Sequence, residues 1–202
     1  MYRLHFGSVA LLLVLLGRAN AWDMPLNPGT CLPVVGQTTA ERTTKQSATS
    51  GQASYWVAAY AGDANESCAF PFTWRAAMPQ DGSTVRLWNE YGSDTIGSGG
   101  PANTTVCWIA TLCCEESASV RPENFACGFS SLTTGDAHPL TAKNFEVDQI
   151  ASVDIPATCV TGRRAFLRMD RQTGGECTPA DDFDSTDMWI VNLRLCPAAG
   201  CE

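Results

Sequence analysis

The sequence predicts an all-β protein: an antiparallel two-sheet β-sandwich, jelly-roll-like, with about eight strands. Three observations carry this expectation. Short apolar alternations of period two recur from residue 53 onward, clusters of Gly, Pro, Asn, Asp and Ser separate them, and no helical periodicity persists anywhere. A sheet with one apolar face must bury it, and a second sheet facing it is the natural cover.

Residues 1–21 read as a secretory signal peptide, with Arg3 at the positive start, an apolar run from Val9 to Leu16, and Ala19-Asn20-Ala21 as the cleavage site. The apolar run is shorter than the roughly 20 residues a membrane-spanning helix needs. Cleavage leaves 181 residues and removes Arg3 and Arg18, so the formal charge moves from −8 to −10. An acidic chain of this kind is repelled by phosphate backbones and anionic headgroups, which argues against nucleic acid and membrane insertion.

Residues 22–52 lack apolar periodicity, and the tract "GQTTAERTTKQSATSGQ" is expected to form an extended N-terminal arm. The β-sandwich domain is expected over residues 53–196, with a short C-terminal tail at 197–202. Its first strand is "SYWVAAY". The second, "CAFPFTWRA", places Phe70, Phe72 and Trp74 on one face, and Pro71 on the other face argues for an edge. After the turn signal "PQDGS", "STVRLWNEY" sets Val85 and Leu87 against Arg86 and Glu90. "TTVCWIATLCC" is apolar on both faces and reads as a central strand. Phe145 and Val147 mark another strand, and Ala165, Leu167 and Met169 the next. In the last strand Trp189, Val191, Leu193 and Leu195 are expected on one face.

Ten cysteines, Cys31, Cys68, Cys107, Cys113, Cys114, Cys127, Cys159, Cys177, Cys196 and Cys201, survive cleavage, and their even number in an exported chain points to disulfides. With no C-x-x-C pair and a single remaining histidine, zinc, iron–sulfur and haem attachment are disfavoured. Cys113 and Cys114 leave a strand on opposite faces and so pair elsewhere. Cys159 with Cys177 and Cys196 with Cys201 are the proposed pairs. Cys31 and Cys201, lying near the ends, could reach a second copy, but an internal staple is the simpler reading.

Taken together, the stretches "SYWVAAYAG", "FPFTWRAAMPQDGSTVRLW", "VCWIATL" and "RRAFLRMDRQTGGECTPADDFDSTDMWIVNLRL" resemble a group of small jelly-roll-like β-sandwich proteins of bacterial, environmental and phage genomes. The resemblance covers residues 53 to 195. It implies a structural or attachment role on virions or cell surfaces and transfers no catalytic residue. The signal peptide and the cysteines depart from that pattern and favour an exported, disulfide-hardened version.

Asp181, Asp182, Asp184 and Asp187 crowd into seven positions, and Asp182, Asp184 and Asp187 offer closely spaced oxygen ligands of the kind calcium takes. The EF-hand pattern is not met, and a solvated loop whose charges resist edge pairing explains the same residues. No cofactor other than calcium suggests itself. Catalysis lacks a constellation: His138 in "GDAHPL" has no nucleophile elbow beside it. The carboxylates Glu115, Glu116, Asp148, Asp181 and Asp184 can each be read as surface charge.

Six tryptophans invite a glycan-binding reading, because an aromatic ring stacks on a sugar face while Asp, Asn and Arg satisfy its hydroxyls. Trp108 and Trp189 fall on core faces. Trp88 and Tyr91, near Asn89 and Glu90 and beside the loop "YGSDTIGSGGPANTT", are the ligand-binding candidates. Asn65 and Asn103 head sequons that would carry glycans in a eukaryotic secretory pathway. The function these observations favour is a non-enzymatic, secreted structural or self-associating surface protein, with a calcium-assisted carbohydrate-binding module as the alternative.

Overall fold

In a computed structural model the fold is described for residues 22–34, 37–46, 54–61, 64–79, 83–93, 106–116, 125–131, 145–172, 188–199 and 201. The proposed signal peptide at 1–21, Asp181, Asp182, Asp184, Asp187, His138, Cys177 and Asn103 lie outside the described residues.

Eleven strands are found among these residues: β1 Met24–Leu26, β2 Thr38–Thr39, β3 Glu41–Gln46, β4 Ser54–Tyr60, β5 Glu66–Thr73, β6 Thr84–Ser93, β7 Trp108–Glu115, β8 Phe125–Ser131, β9 Phe145–Asp154, β10 Arg164–Arg171 and β11 Met188–Pro197. One sheet runs β3-β4-β11-β6-β9, with β1 also paired to β11; the other runs β2-β5-β10-β7-β8. From β4 to β11 successive strands alternate between the sheets except β7 and β8, which pair with each other, and the two four-stranded sets β4-β11-β6-β9 and β5-β10-β7-β8 wrap as a jelly roll. Seven of these eight strands are the ones the alternation predicted; β8 is not among them.

The remaining three come from the segment expected to be a loose arm. β1 pairs with Leu193–Leu195 and β3 with β4, so the arm is woven into the larger sheet. A strand of Glu, Arg, Thr, Lys and Gln shows no apolar alternation because β3 is an edge, where charged side chains discourage further pairing. Between β1 and β2, Pro28–Thr30 form a 3-10 turn capped by the Asn27 side chain, whose Oδ1 accepts from Gly29 N at 2.8 Å. The turn packs on β3, β4, β5 and β11. A Cβ on Gly29 would stand 2.8 Å from the Trp56 Cβ, so this close approach requires glycine.

The core lies between the sheets, where Phe70, Leu87, Leu112, Leu167, Met169, Leu193 and Leu195 are buried. Trp108 sits at its aromatic centre, edge-on to Tyr60 at 5.0 Å and to Tyr91 at 5.8 Å between ring centroids. β7 is buried along its whole length, as its two apolar faces require, and lies between β10 and β8. Pro71 points outward from the outer side of β5, where β2 pairs only as far as Ser67 and Leu32 bridges Ala69; no partner there needs its missing N–H. Before β10, Gly162 takes a φ of 85°, and its N–H reaches Trp74 O at 2.9 Å.

The expected single face of the last strand is corrected. A β-bulge between Ile190 and Asn192 inserts one residue against β6, so the alternation changes phase. Met188, Ile190, Leu193 and Leu195 enter the core, whereas Trp189 and Val191 cluster with Val57 and Ala59 on the other face.

Three disulfides join described residues: Cys31–Cys68, Cys114–Cys159 and Cys196–Cys201. The last matches the expected pair. Cys159 does not bond Cys177, because the turn after β9 sets it beside Cys114 at the end of β7, with a Cα separation of 5.1 Å. Cys31 and Cys201 both bond within the chain. Cys107 and Cys113 are also disulfide-bonded, and Cys113 and Cys114 take different partners. No helix among the described residues is long and apolar enough to cross a membrane.

Candidate functional site

β6 and β11 run side by side through the middle of the larger sheet, and their outward side chains meet in register: Arg194 opposite Trp88, and Asn192 opposite Glu90. The Arg194 guanidinium carbon stands 4.3 Å from the Trp88 ring centroid, a cation–π contact. Arg194 also donates from Nη1 to Asp23 Oδ2 at 2.9 Å, so the residue before β1 fixes the arginine in place. One step along, Asn192 Nδ2 donates to Glu90 Oε2 at 3.3 Å. A half-buried indole, a guanidinium, two carboxylates and an amide thus share one rigid surface. That mixture suits a ligand with an apolar face and a ring of hydroxyls.

Trp88 is half-buried on the outer face, but Tyr91 is corrected. Odd-numbered positions of β6 point inward, so Tyr91 is only 2% exposed and packs on Trp108. Asn89 follows the same parity and is fully buried, with neither Nδ2 nor Oδ1 hydrogen-bonded. Arg194 and Asp23 had no distinguishing mark in the sequence; only the pairing of β1 with β11 brings them together. Trp108 is in the core as expected.

Of the carboxylates considered for catalysis, Glu115 is engaged by an arginine. Glu115 accepts from Arg164 Nε at 3.2 Å and also from Arg164 Nη2, and this hydrogen-bonded pairing holds its carboxyl below the usual carboxylate range. A general acid needs the opposite shift. Glu116 is exposed at the end of β7, and Asp148 lies on β9 opposite Asn89.

The strand ends that residues 61–65, 94–107, 132–144 and 172–187 connect all lie at one end of the sandwich: Met188 pairs with Tyr60 and Ser93, Gly92 with Phe145, Arg171 with Glu66 and Trp108, and Ile109 with Ser131. Asn65 is exposed there. Beneath it Arg171, fully buried, donates to Ala61 O at 2.9 Å, and Ala61 N donates to Glu66 Oε2 at 2.6 Å. Tyr60 donates to Met169 O at 3.2 Å; burial, then the negative charges of Asp170 and Glu66, push its phenol well above the ordinary value. Asp170 is held by Arg168 at 2.7 Å. This network ties the strand ends together and keeps the phenol protonated. Among the described residues no group of three or more His, Cys, Asp or Glu side chains could hold a metal ion.

No protein-family model matches the chain, and no curated protein matches it. Among solved structures it is similar to the enzymatically active domain of bacteriophage CBA120 tailspike protein 4, at 11% identity and a TM-score of 0.36, with 88% of this chain and 19% of that chain covered. It is also similar to a structure described as explaining the promiscuous specificity of carbohydrate-binding modules from the β-sandwich superfamily, at 9% identity and a TM-score of 0.34, covering 87% of this chain and 56% of that one. The chain thus spans well under two thirds of either.

Proposed function

We propose that this chain is a non-catalytic, exported β-sandwich that acts by binding, with the outer face of β6 and β11 recognising a glycan. The observation that carries this reading is the Trp88–Arg194 stack, anchored by Asp23 and flanked by the Glu90–Asn192 hydrogen bond. A ring platform pinned before binding loses little entropy when a sugar settles on it, and the neighbouring polar groups supply hydroxyl partners. The disulfides brace the scaffold for an oxidising exterior. A printed glycan array probed with wild-type protein, Trp88→Ala and Arg194→Ala tests it: binding that both substitutions abolish supports the reading, and binding that neither changes removes it. Repeating the array with chelator tests the calcium-assisted version.

A structural role on a cell or particle surface is the second reading, favoured by the covalent staples that bind the chain's first and last described segments into the sandwich. Light scattering across a concentration series separates the two, since a surface-forming component self-associates.

A further inference from the structure

We infer that Trp56 and Arg42 form a second saccharide platform, separate from the outer face, so that the chain engages a polysaccharide at two points; this rests on the glycan-binding reading. Trp56 is 49% exposed, an unusual state for the largest apolar side chain on a strand whose next four residues are buried. It also sits on the other side of β4 from Val57 and Ala59: its parity is that of Ala58 and Tyr60, which enter the core, but here the 3-10 turn occupies the space between the sheets. Trp56 is therefore left at the rim.

The ring is held, not loose. Arg42, on the neighbouring strand β3, places its guanidinium carbon 4.7 Å from the ring centroid, and its Nη1 donates to Gly29 O at 3.3 Å. Gly29 is itself fixed by Asn27, and only a hydrogen side chain lets its backbone come so close to the root of the indole side chain, at Cβ and Cγ. Turn, arginine and ring thus form one preorganised unit. An exposed aromatic surface with a guanidinium alongside and the exposed polar residues Asn27 and Thr30 nearby matches a sugar, whose apolar ring face and equatorial hydroxyls need both. A wholly apolar partner would leave the guanidinium N–H groups not bonded to Gly29 without acceptors.

Affinity gel electrophoresis in xylan, laminarin and galactomannan tests the proposal, with wild type, Trp56→Ala, Arg42→Ala, Trp88→Ala and the double Trp56→Ala/Trp88→Ala. Near-UV circular dichroism verifies that each variant is folded. In a gel that retards wild type, Trp56→Ala is expected to weaken retardation about tenfold and Trp88→Ala to leave a residual component, which the double variant loses. Arg42→Ala weakens it less than Trp56→Ala. Trp56→Ala retarded like wild type overturns the second platform while leaving the first standing. A wild type that no gel retards removes both. Proton–nitrogen spectra of the Trp56 indole give an independent readout: saturation by a proline-rich peptide but by no polysaccharide, or a shift that depends only on protein concentration, assigns the ring to a different partner and overturns the inference.

Discussion

Arg194 lies over Trp88 and is held there from the far side by Asp23, so that a stack across two central strands depends on a residue just ahead of the first strand. If the stack is a binding surface, its three members contribute unequally to stability. Trp88→Ala is expected to cost about 1–2 kcal/mol, through lost contact area and the cation–π contact. Asp23→Asn removes an exposed ion pair and should cost no more than about 0.5 kcal/mol. Urea denaturation separates these values, and equal losses would contradict the geometry.

Glu115 and Arg164 give stability a pH dependence with a definite sign. The arginine's hydrogen bonds hold the folded Glu115 carboxyl below its unfolded value. The pair's contribution is therefore present above the unfolded carboxylate range and lost as pH falls through the lower, folded value. Urea midpoints between pH 6 and about pH 3 should decline less steeply for Glu115→Gln than for wild type. Parallel curves would show that the pair adds nothing.

Asn89 and Leu167 are both fully buried, yet their substitutions should move stability in opposite directions. The Asn89 amide is desolvated without a hydrogen-bond partner, so Asn89→Leu is expected to stabilise by about 1 kcal/mol. Leu167→Ala opens a cavity between the sheets and should cost about 2–5 kcal/mol. Chemical denaturation of both variants checks the signs.

Peptide mapping under non-reducing conditions should recover Cys31–Cys68, Cys114–Cys159 and Cys196–Cys201. The strand register extends the prediction. Cys127 lies directly opposite Cys113, whereas Cys107 precedes Cys113 by six residues, about 20 Å along a strand. A disulfide spans no more than about 7 Å between Cα atoms, so Cys113 is expected with Cys127 and Cys107 with Cys177. A Cys107–Cys127 peptide would contradict this register.

What could be read from the sequence follows from what generates alternation. The predicted strands bury apolar positions, and such residues as Val85, Leu87, Leu167 and Met169 were visible as a period of two. Strands β2 and β3 carry Thr, Glu, Arg, Lys and Gln, which sequence alone cannot tell from a polar linker, and β1, Met24-Pro25-Leu26, is too short to show a period. The bulge at Ile190 and Asn192 was equally hidden: one inserted residue leaves composition untouched but turns Trp189 to the opposite face. Trp88 could be nominated because it neighbours a loop, and that same argument misplaced Tyr91, where parity decided. The Trp88–Arg194–Asp23 set spans 171 residues of chain between its ion-pair partners, a distance no local pattern encodes.

β1 covers the half of the β11 edge that β4 leaves bare: β4 meets Met188–Ile190, and β1 meets Leu193–Leu195. Only three residues do this covering. A protein trimmed by proteolysis up to Asn27 would bare the backbone amides and carbonyls of Leu193–Leu195, a template that any extended segment can complete. The same three residues of another molecule would fit that gap, so loss of this short ribbon would open a site for edge-to-edge strand exchange.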